Sequence, residues 1–157
     1  IHRFKYAGKI QLSRPFGILL LNTFLRYWQG EAIDLILPVP LHRQKFRHRG
    51  FNQSYLMVDG WKTMSALNPL AATHTHLRTD VLSRSKATAP QTGLGRQQRL
   101  KNVKGAFIVR LPKTVHGRKV LVIDDVYTTG ATVDECARLL LEAGAAQVDV
   151  LTLARAI

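Results

Sequence analysis

The stretch 119–153 constrains this chain more than any other, because it reads as strand, turn, helix, strand in close succession. Val120-Leu121-Val122-Ile123 is an apolar, β-branched run too short for a typical helix, as a buried strand would be. Val133, Cys136, Ala137, Leu140 and Leu141 then fall at i, i+3, i+4, i+7 and i+8, the spacing of one apolar helix face. Thr132 with Glu135 predicts a capping box at its start, and Gly144 predicts its end. Residues 148–153 predict a last strand. Strands joined through a helix lie parallel, so the unit points to an open α/β sheet.

The rest of the chain agrees with that class. Ser13 and Pro15 mark a helix start, and Phe16, Leu19, Leu20, Leu21, Phe24, Leu25 and Trp28 predict a buried helix ending near Gly30. Residues 35–37 predict a short strand stopped by Pro38-Val39-Pro40, since proline cannot donate to a central ladder. Asn52 predicts the cap of a second helix running to Met64, with Met57, Trp61 and Met64 on its apolar side. Residues 84–102 are polar, carry Pro90, Gly93 and Gly95, and predict a long mobile loop. A further strand is expected over 106–109 and a turn at His116-Gly117. The expected fold is α/β, a mainly parallel sheet flanked by helices, in one domain over residues 1–157; a chain of this length can bury roughly two thirds of its extended surface.

Asp124 and Asp125 stand at the carboxyl end of the best strand, where open α/β sheets bind their ligands. Thr128, Thr129, Gly130, Ala131 and Thr132 follow at once and lead into a helix N-terminus, whose first amides lack intrahelical partners and attract anions. Gly130 lets backbone approach a phosphate closely. Carboxylates that accept from sugar hydroxyls, beside amides that donate to a phosphate, make a grip for a ribose 5-phosphate. The same residues would also suit a buried strand ending in a solvated acidic turn. A Walker B strand would need a Gly-rich loop ending in Gly-Lys-Ser/Thr, which the chain lacks. A receiver domain would carry its acidic pair near the first strand, not this late.

Charge adds a second element. Lys and Arg number 23 against 10 Asp and Glu, a formal +13 that draws in polyanions. Arg43, Lys45, Arg47 and Arg49 cluster after the first strand and end at Gly50; guanidinium groups bind phosphate oxygens in pairs, so Arg43, Arg47, Arg49 and Gly50 are candidate pyrophosphate ligands. A solvated basic turn is the plain alternative. His42 and His48 lack metal-ligand spacing. The single cysteine, Cys136, excludes an intrachain disulfide within these residues and fits a reducing cytoplasm, and its place on an apolar helix face suits a buried thiol. The apolar run 16–21 is too short to span a bilayer. The first residue is Ile1, so an upstream part is expected.

Val120 to Thr132 resembles, at every defining position, the thirteen-residue motif with which type I phosphoribosyltransferases bind 5-phosphoribosyl 1-pyrophosphate (PRPP). Pro38-Val39-Pro40-Leu41-His42-Arg43, Arg49-Gly50-Phe51-Asn52-Gln53, then Thr88, Gln91, Leu94, Arg99, Asn102, Gly105, Ala106 and Phe107, and finally Thr152-Leu153-Ala154-Arg155 resemble the ComF family of competence and DNA-utilisation proteins. Lys86 stands where that family more often has Arg. The resemblance implies a type I phosphoribosyltransferase fold and Mg²⁺ as cofactor. It assigns Asp124 and Asp125 to the ribose hydroxyls, reaching the metal indirectly, and residues 128–132 to the 5-phosphate. It places Arg84, Lys86 and Arg99 on a flexible loop that closes over pyrophosphate. Residues before about Gly30 would supply any hood over the acceptor, and the Cys-rich zinc module that members often carry upstream is not in this chain. The activity implied is transfer of a phosphoribosyl group to a nitrogen nucleophile; the alternative is a non-enzymatic PRPP-binding or DNA-processing factor in natural transformation. Competence-machinery proteins and single-stranded DNA are the further partners implied, the DNA held weakly because no exposed aromatic row accompanies the cations.

Overall fold

A computed structural model describes residues 1, 4, 9–28, 31–62, 75–87 and 96–156. Helix α1 (Ser13–Tyr27) follows a short 3-10 turn and leads to strand β1 (Leu35–Pro38). Two short helices come next, α2 (Arg43–Arg49) and α3 (Gln53–Asp59). The chain continues through β2 (His76–Leu77), β3 (Leu82–Arg84), α4 (Arg96–Val103), β4 (Phe107–Val109) and α5 (Pro112–Val115). It ends in β5 (Lys119–Tyr127), α6 (Ala131–Glu142) and β6 (Gln147–Arg155).

Four strands form one sheet in the order β2-β1-β5-β6, and every pair is parallel. The expected α/β architecture is what the chain adopts. Alternation of side chains along each strand sorts the core into two layers. Leu35, Leu37, Val120 and Val122 face one layer with Val133, Cys136 and Leu140 of α6 and Phe107 of β4. Ile36, Leu121, Ile123 and Leu151 face the other, with Leu20, Leu21 and Phe24 of α1 and Met57, Val58 and Trp61. Both faces of β1 and β5 are therefore covered, which is why these strands read as unbroken apolar runs. Gly17 permits the close crossing of α1 and α3: a Cβ there would collide with the Met57 carbonyl.

Several expectations need correction. Leu19 is 57% exposed, because the stripe of α1 that meets the sheet passes through Gly17, Leu20, Leu21 and Phe24. The helix capped by Asn52 stops at Asp59 and gives way to a 3-10 turn, Gly60–Lys62; Met64 lies outside the described residues. No capping box forms at α6. Gly130, in the left-handed region, is its N-cap, and Glu135 turns instead to the Gly105 amide at 2.7 Å and to Arg138. That Arg138 pair is the main reason the Glu135 carboxyl sits below its ordinary range. Leu141 is exposed, leaving Val133, Cys136 and Leu140 as the buried stripe.

Two segments expected as loops are partly regular. Residues 43–49 form a helix, and 84–102 begin at the end of β3 and finish in α4. Arg84 pairs with Phe107 in an antiparallel β3–β4 ladder, so it belongs to a strand. Lys86 is held by backbone too, Ser85 and Lys86 both donating to the Ala106 carbonyl. Arg99 falls within α4, and Thr88, Gln91, Leu94 and the Gly93–Gly95 hinge lie outside the described residues. The apolar spacing that reveals a helix is missing from both stretches: Arg43-Gln44-Lys45-Phe46-Arg47-His48-Arg49 buries no residue, and Arg96-Gln97-Gln98-Arg99-Leu100-Lys101-Asn102-Val103 is nearly all polar.

Candidate functional site

The parallel sheet sends the carboxyl ends of β1, β5 and β6 to one edge, and Asp124, Asp125 and residues 128–132 lie there. β5 delivers Asp124 opposite Thr152 of β6 and places Ile123 opposite Pro38 of β1. Beyond Pro38 the chain is still fastened, Val39 donating its amide to the Ile123 carbonyl at 2.9 Å. Asp125 is 3% exposed, while Asp124 is half-buried. The Asp125 amide donates to Asp124 Oδ1 at 2.9 Å, and the Ser54 hydroxyl donates to the same oxygen at 3.1 Å.

Ser54 reaches that point because Asn52 fixes the first turn of α3. The Asn52 side chain accepts from the amides of Ser54 and Tyr55 at 3.0 and 3.3 Å, and donates to the Val39 carbonyl at 3.0 Å. One amide side chain thus ties the end of β1 to the start of α3. Gln53, 5% exposed, accepts from Arg49.

After Asp125 the chain turns through Tyr127, Thr128 and Thr129 to Gly130 (φ +80°). The conformation favours glycine, and a Cβ at Gly130 would lie 2.5 Å from Tyr127 Oη and 2.7 Å from Asp134 Oδ2, so those two side chains would have to swing aside. Thr129 Oγ1 accepts weakly from the Ala131 amide at 3.4 Å, and the Asp134 amide closes the first turn of α6 on the Gly130 carbonyl at 2.8 Å. Ala131 is buried; Thr128, Thr129 and Thr132 are half-buried. Asp124, Asp125 and residues 128–132 therefore form one compact feature: two carboxylates, a glycine-dependent turn, and the start of a twelve-residue helix. The Arg155 guanidinium lies over the Tyr127 ring, 5.7 Å from its centre, at the end of β6.

The basic residues are distributed differently. Arg43 and Arg47 project from α2 into solvent, and Arg49 is half-buried against Gln53. His42 caps the helix, accepting from the Gln44 amide at 3.3 Å, and Gly50 ends it in the left-handed region. Arg84 packs over the Phe107 ring at 5.1 Å; burial pulls its guanidinium below its ordinary value, opposed by the negative charge of Asp124. Burial pushes the Cys136 thiol far up, so it is an inert core group. Sequence reasoning passed over Ser54, Gln53, Tyr127 and Glu135 as parts of the site. Gln53 ends the Arg49-to-Gln53 motif and Ser54 follows it, but only the fold brings Ser54 to Asp124, 70 residues away.

The model of the phosphoribosyl transferase domain matches residues 65–157, and the chain belongs to that family. The chain is 36% identical over 159 residues to DNA utilization protein YhgH of Escherichia coli O157:H7, covering 99% of this chain and 65% of the relative. It is 32% identical to competence protein F of Haemophilus influenzae, covering 99% of this chain and 66% of that one. It thus spans just under two thirds of the curated relatives' length. Among solved structures, the phosphoribosylpyrophosphate synthetase of Mycobacterium smegmatis superposes with a TM-score of 0.50 at 14% identity, over 88% of this chain and 33% of that one, a likeness of fold. No helix among the described residues is long and apolar enough to cross a membrane.

Proposed function

We propose that this domain binds PRPP and transfers its phosphoribosyl group to a nitrogen nucleophile with release of pyrophosphate, in the use of foreign DNA. The observation that carries the reading is the pair Asp124–Asp125 at the end of β5, running directly into the glycine-dependent turn at Gly130 and the start of α6. The carboxylates accept from the ribose hydroxyls, and the amides of residues 128–132 donate to the 5-phosphate. Arg43, Arg47 and Arg49 face the diphosphate. In the reaction the bond from ribose C1 to the pyrophosphate oxygen breaks, the electron pair leaves with pyrophosphate, and nitrogen bonds to C1 before losing a proton. Cations placed beside the departing diphosphate stabilise the charge that develops there.

The residues fit Mg²⁺ in one particular way. No group of three His, Cys, Asp or Glu among the described residues would hold a metal by itself. Two adjacent carboxylates suit an ion that keeps several waters and takes its remaining ligands from substrate oxygens, the usual habit of Mg²⁺. Asp124 and Asp125 would hold it through ribose hydroxyls or water, and the ion would supply charge neutralisation for the diphosphate.

The names of the relatives speak of DNA utilization and competence, which favours one second reading: the same site holds PRPP without turning it over, in a factor that handles incoming DNA. Turnover with a panel of nucleobases and ammonia decides between the two.

Thermal denaturation tests the shared premise. PRPP with Mg²⁺ at a hundred times its dissociation constant should stabilise the fold by about 2.7 kcal/mol, raising Tm by roughly 5–10 °C for a chain of this size. Asp124→Asn with Asp125→Asn should abolish the shift. An unchanged Tm for the parent protein at millimolar ligand would overturn the reading.

A further inference from the structure

Ser54 occupies the second position of α3 and is 1% exposed, yet its side chain is polar and its hydroxyl is turned onto Asp124 Oδ1. Burying a hydroxyl costs free energy unless a partner satisfies it, and here the partner is a carboxylate of the candidate ribose site. The Asp125 amide donates to the same oxygen. Two donors converging on Oδ1 from different directions fix both the plane of the carboxylate and its rotation about the Cβ–Cγ bond.

The donor is itself held. Asn52 locks the Ser54 amide and anchors on the Val39 carbonyl, and Val39 is fastened to β5 through Ile123. A closed circuit therefore runs from β5 to β1, through Asn52 to Ser54, and back to β5 at Asp124. A change at any member moves the carboxylate relative to the sheet edge.

We propose that Ser54 is a positioning residue for ribose recognition: it holds the Asp124 carboxylate oriented toward the hydroxyls of a ribose 5-phosphate. This rests on the assignment of Asp124 to the ribose hydroxyls made above. The Ser54 hydroxyl acts by aiming the carboxylate, through its contact with Oδ1. The contact serves the sugar and not the diphosphate, because Ser54 touches no group assigned to pyrophosphate. A purely structural bond, pinning α3 to the sheet, would act on stability and on every ligand alike.

Isothermal titration with Mg²⁺ and each of three ligands, PRPP, ribose 5-phosphate and inorganic pyrophosphate, separates these roles. Ser54→Ala should weaken the two sugar ligands about tenfold, the scale for losing a hydrogen bond to a charged group, and pyrophosphate less than twofold. Ser54→Cys, which keeps a weak donor in nearly the same volume, should fall between, with a parent-like Tm confirming the fold. Unchanged affinity for the sugar ligands, or an equal loss for pyrophosphate, overturns the proposal. A parent protein that binds pyrophosphate but neither sugar ligand would instead overturn the ribose assignment itself, an outcome visible before any substitution is made.

Discussion

The segment from β5 to α6 and the basic segment from His42 to Gly50 follow the same ends of two neighbouring parallel strands, but they are built on opposite principles. In the first, Val120 to Ile123 are fully buried and Asp125 nearly so, and the position of each functional group follows from strand register and from a turn that favours glycine. In the second, α2 fully buries none of its residues and carries Arg43 and Arg47 outward from about two turns of helix. The difference suits the two halves of the proposed ligand. Neutral sugar hydroxyls need fixed acceptors, whereas a mobile diphosphate is met by long cationic side chains whose reach tolerates a loose base.

The rigid half should break more easily. Gly130→Ala places a Cβ against Tyr127 Oη and Asp134 Oδ2 at φ +80°. The left-handed conformation costs a non-glycine residue about 1–2 kcal/mol, and swinging the Tyr127 and Asp134 side chains aside adds about 1 kcal/mol. A loss of about 2–3 kcal/mol should appear as a Tm lower by roughly 4–12 °C, with PRPP-dependent stabilisation gone. A parent-like Tm would mean that the turn can relax, and the contrast between the halves would fail.

How far each half was legible follows from the same contrast. The β-branched run 120–123 and the stripe Val133, Cys136, Leu140 showed through because burial forces a period on the sequence. The parallel α/β class followed from that alternation, but the short strand β2 left no signal, and the strand expected over 106–109 pairs antiparallel with β3 outside the four-stranded sheet. Residues 43–49 read as a loop because a helix with no buried face leaves no period in the sequence. Its only local signals are its ends, a His42 cap and Gly50 in the left-handed region, and neither is decisive by itself. Arg84 was placed on a mobile loop because its flanks are polar, while its strand is defined by pairing with Phe107 across the fold. Ser54 was invisible for the same reason: a tertiary hydrogen bond has no sequence signature.

The cationic half should yield graded losses. Arg43→Ala and Arg47→Ala, both exposed, should each weaken PRPP several-fold, leave ribose 5-phosphate nearly unchanged, and move Tm by no more than about 0.5 kcal/mol would. Arg49→Ala should differ, because it also removes a partner of buried Gln53; a stability loss of about 1 kcal/mol is expected besides. Titrating each variant with both ligands gives the comparison. Equal losses for PRPP and ribose 5-phosphate would show that α2 acts through the general +13 field and not on the diphosphate.

The smallest effect is expected at the glycine that ends α2, and it sharpens the contrast because Gly50 and Gly130 share nearly the same backbone, φ +82° and +80°. A Cβ at Gly50 meets nothing within 4 Å, so Gly50→Ala carries only the conformational cost, about 1 kcal/mol. Even that need not reach the whole domain. α2 contributes no buried residue, so its last turn, closed by the Gly50 amide on the Phe46 carbonyl at 2.7 Å, can open locally without exposing core. Tm should fall by less than about 4 °C, while PRPP affinity drops modestly as Arg47 and Arg49 lose their register. Two alanines in matching backbone conformations would then differ in cost because side chains crowd Gly130 and nothing crowds Gly50, and because α2 can open by itself. If Gly50→Ala instead destabilised the protein as much as Gly130→Ala, α2 would be an integral part of the fold, and its cations would be held as rigidly as the carboxylates of β5.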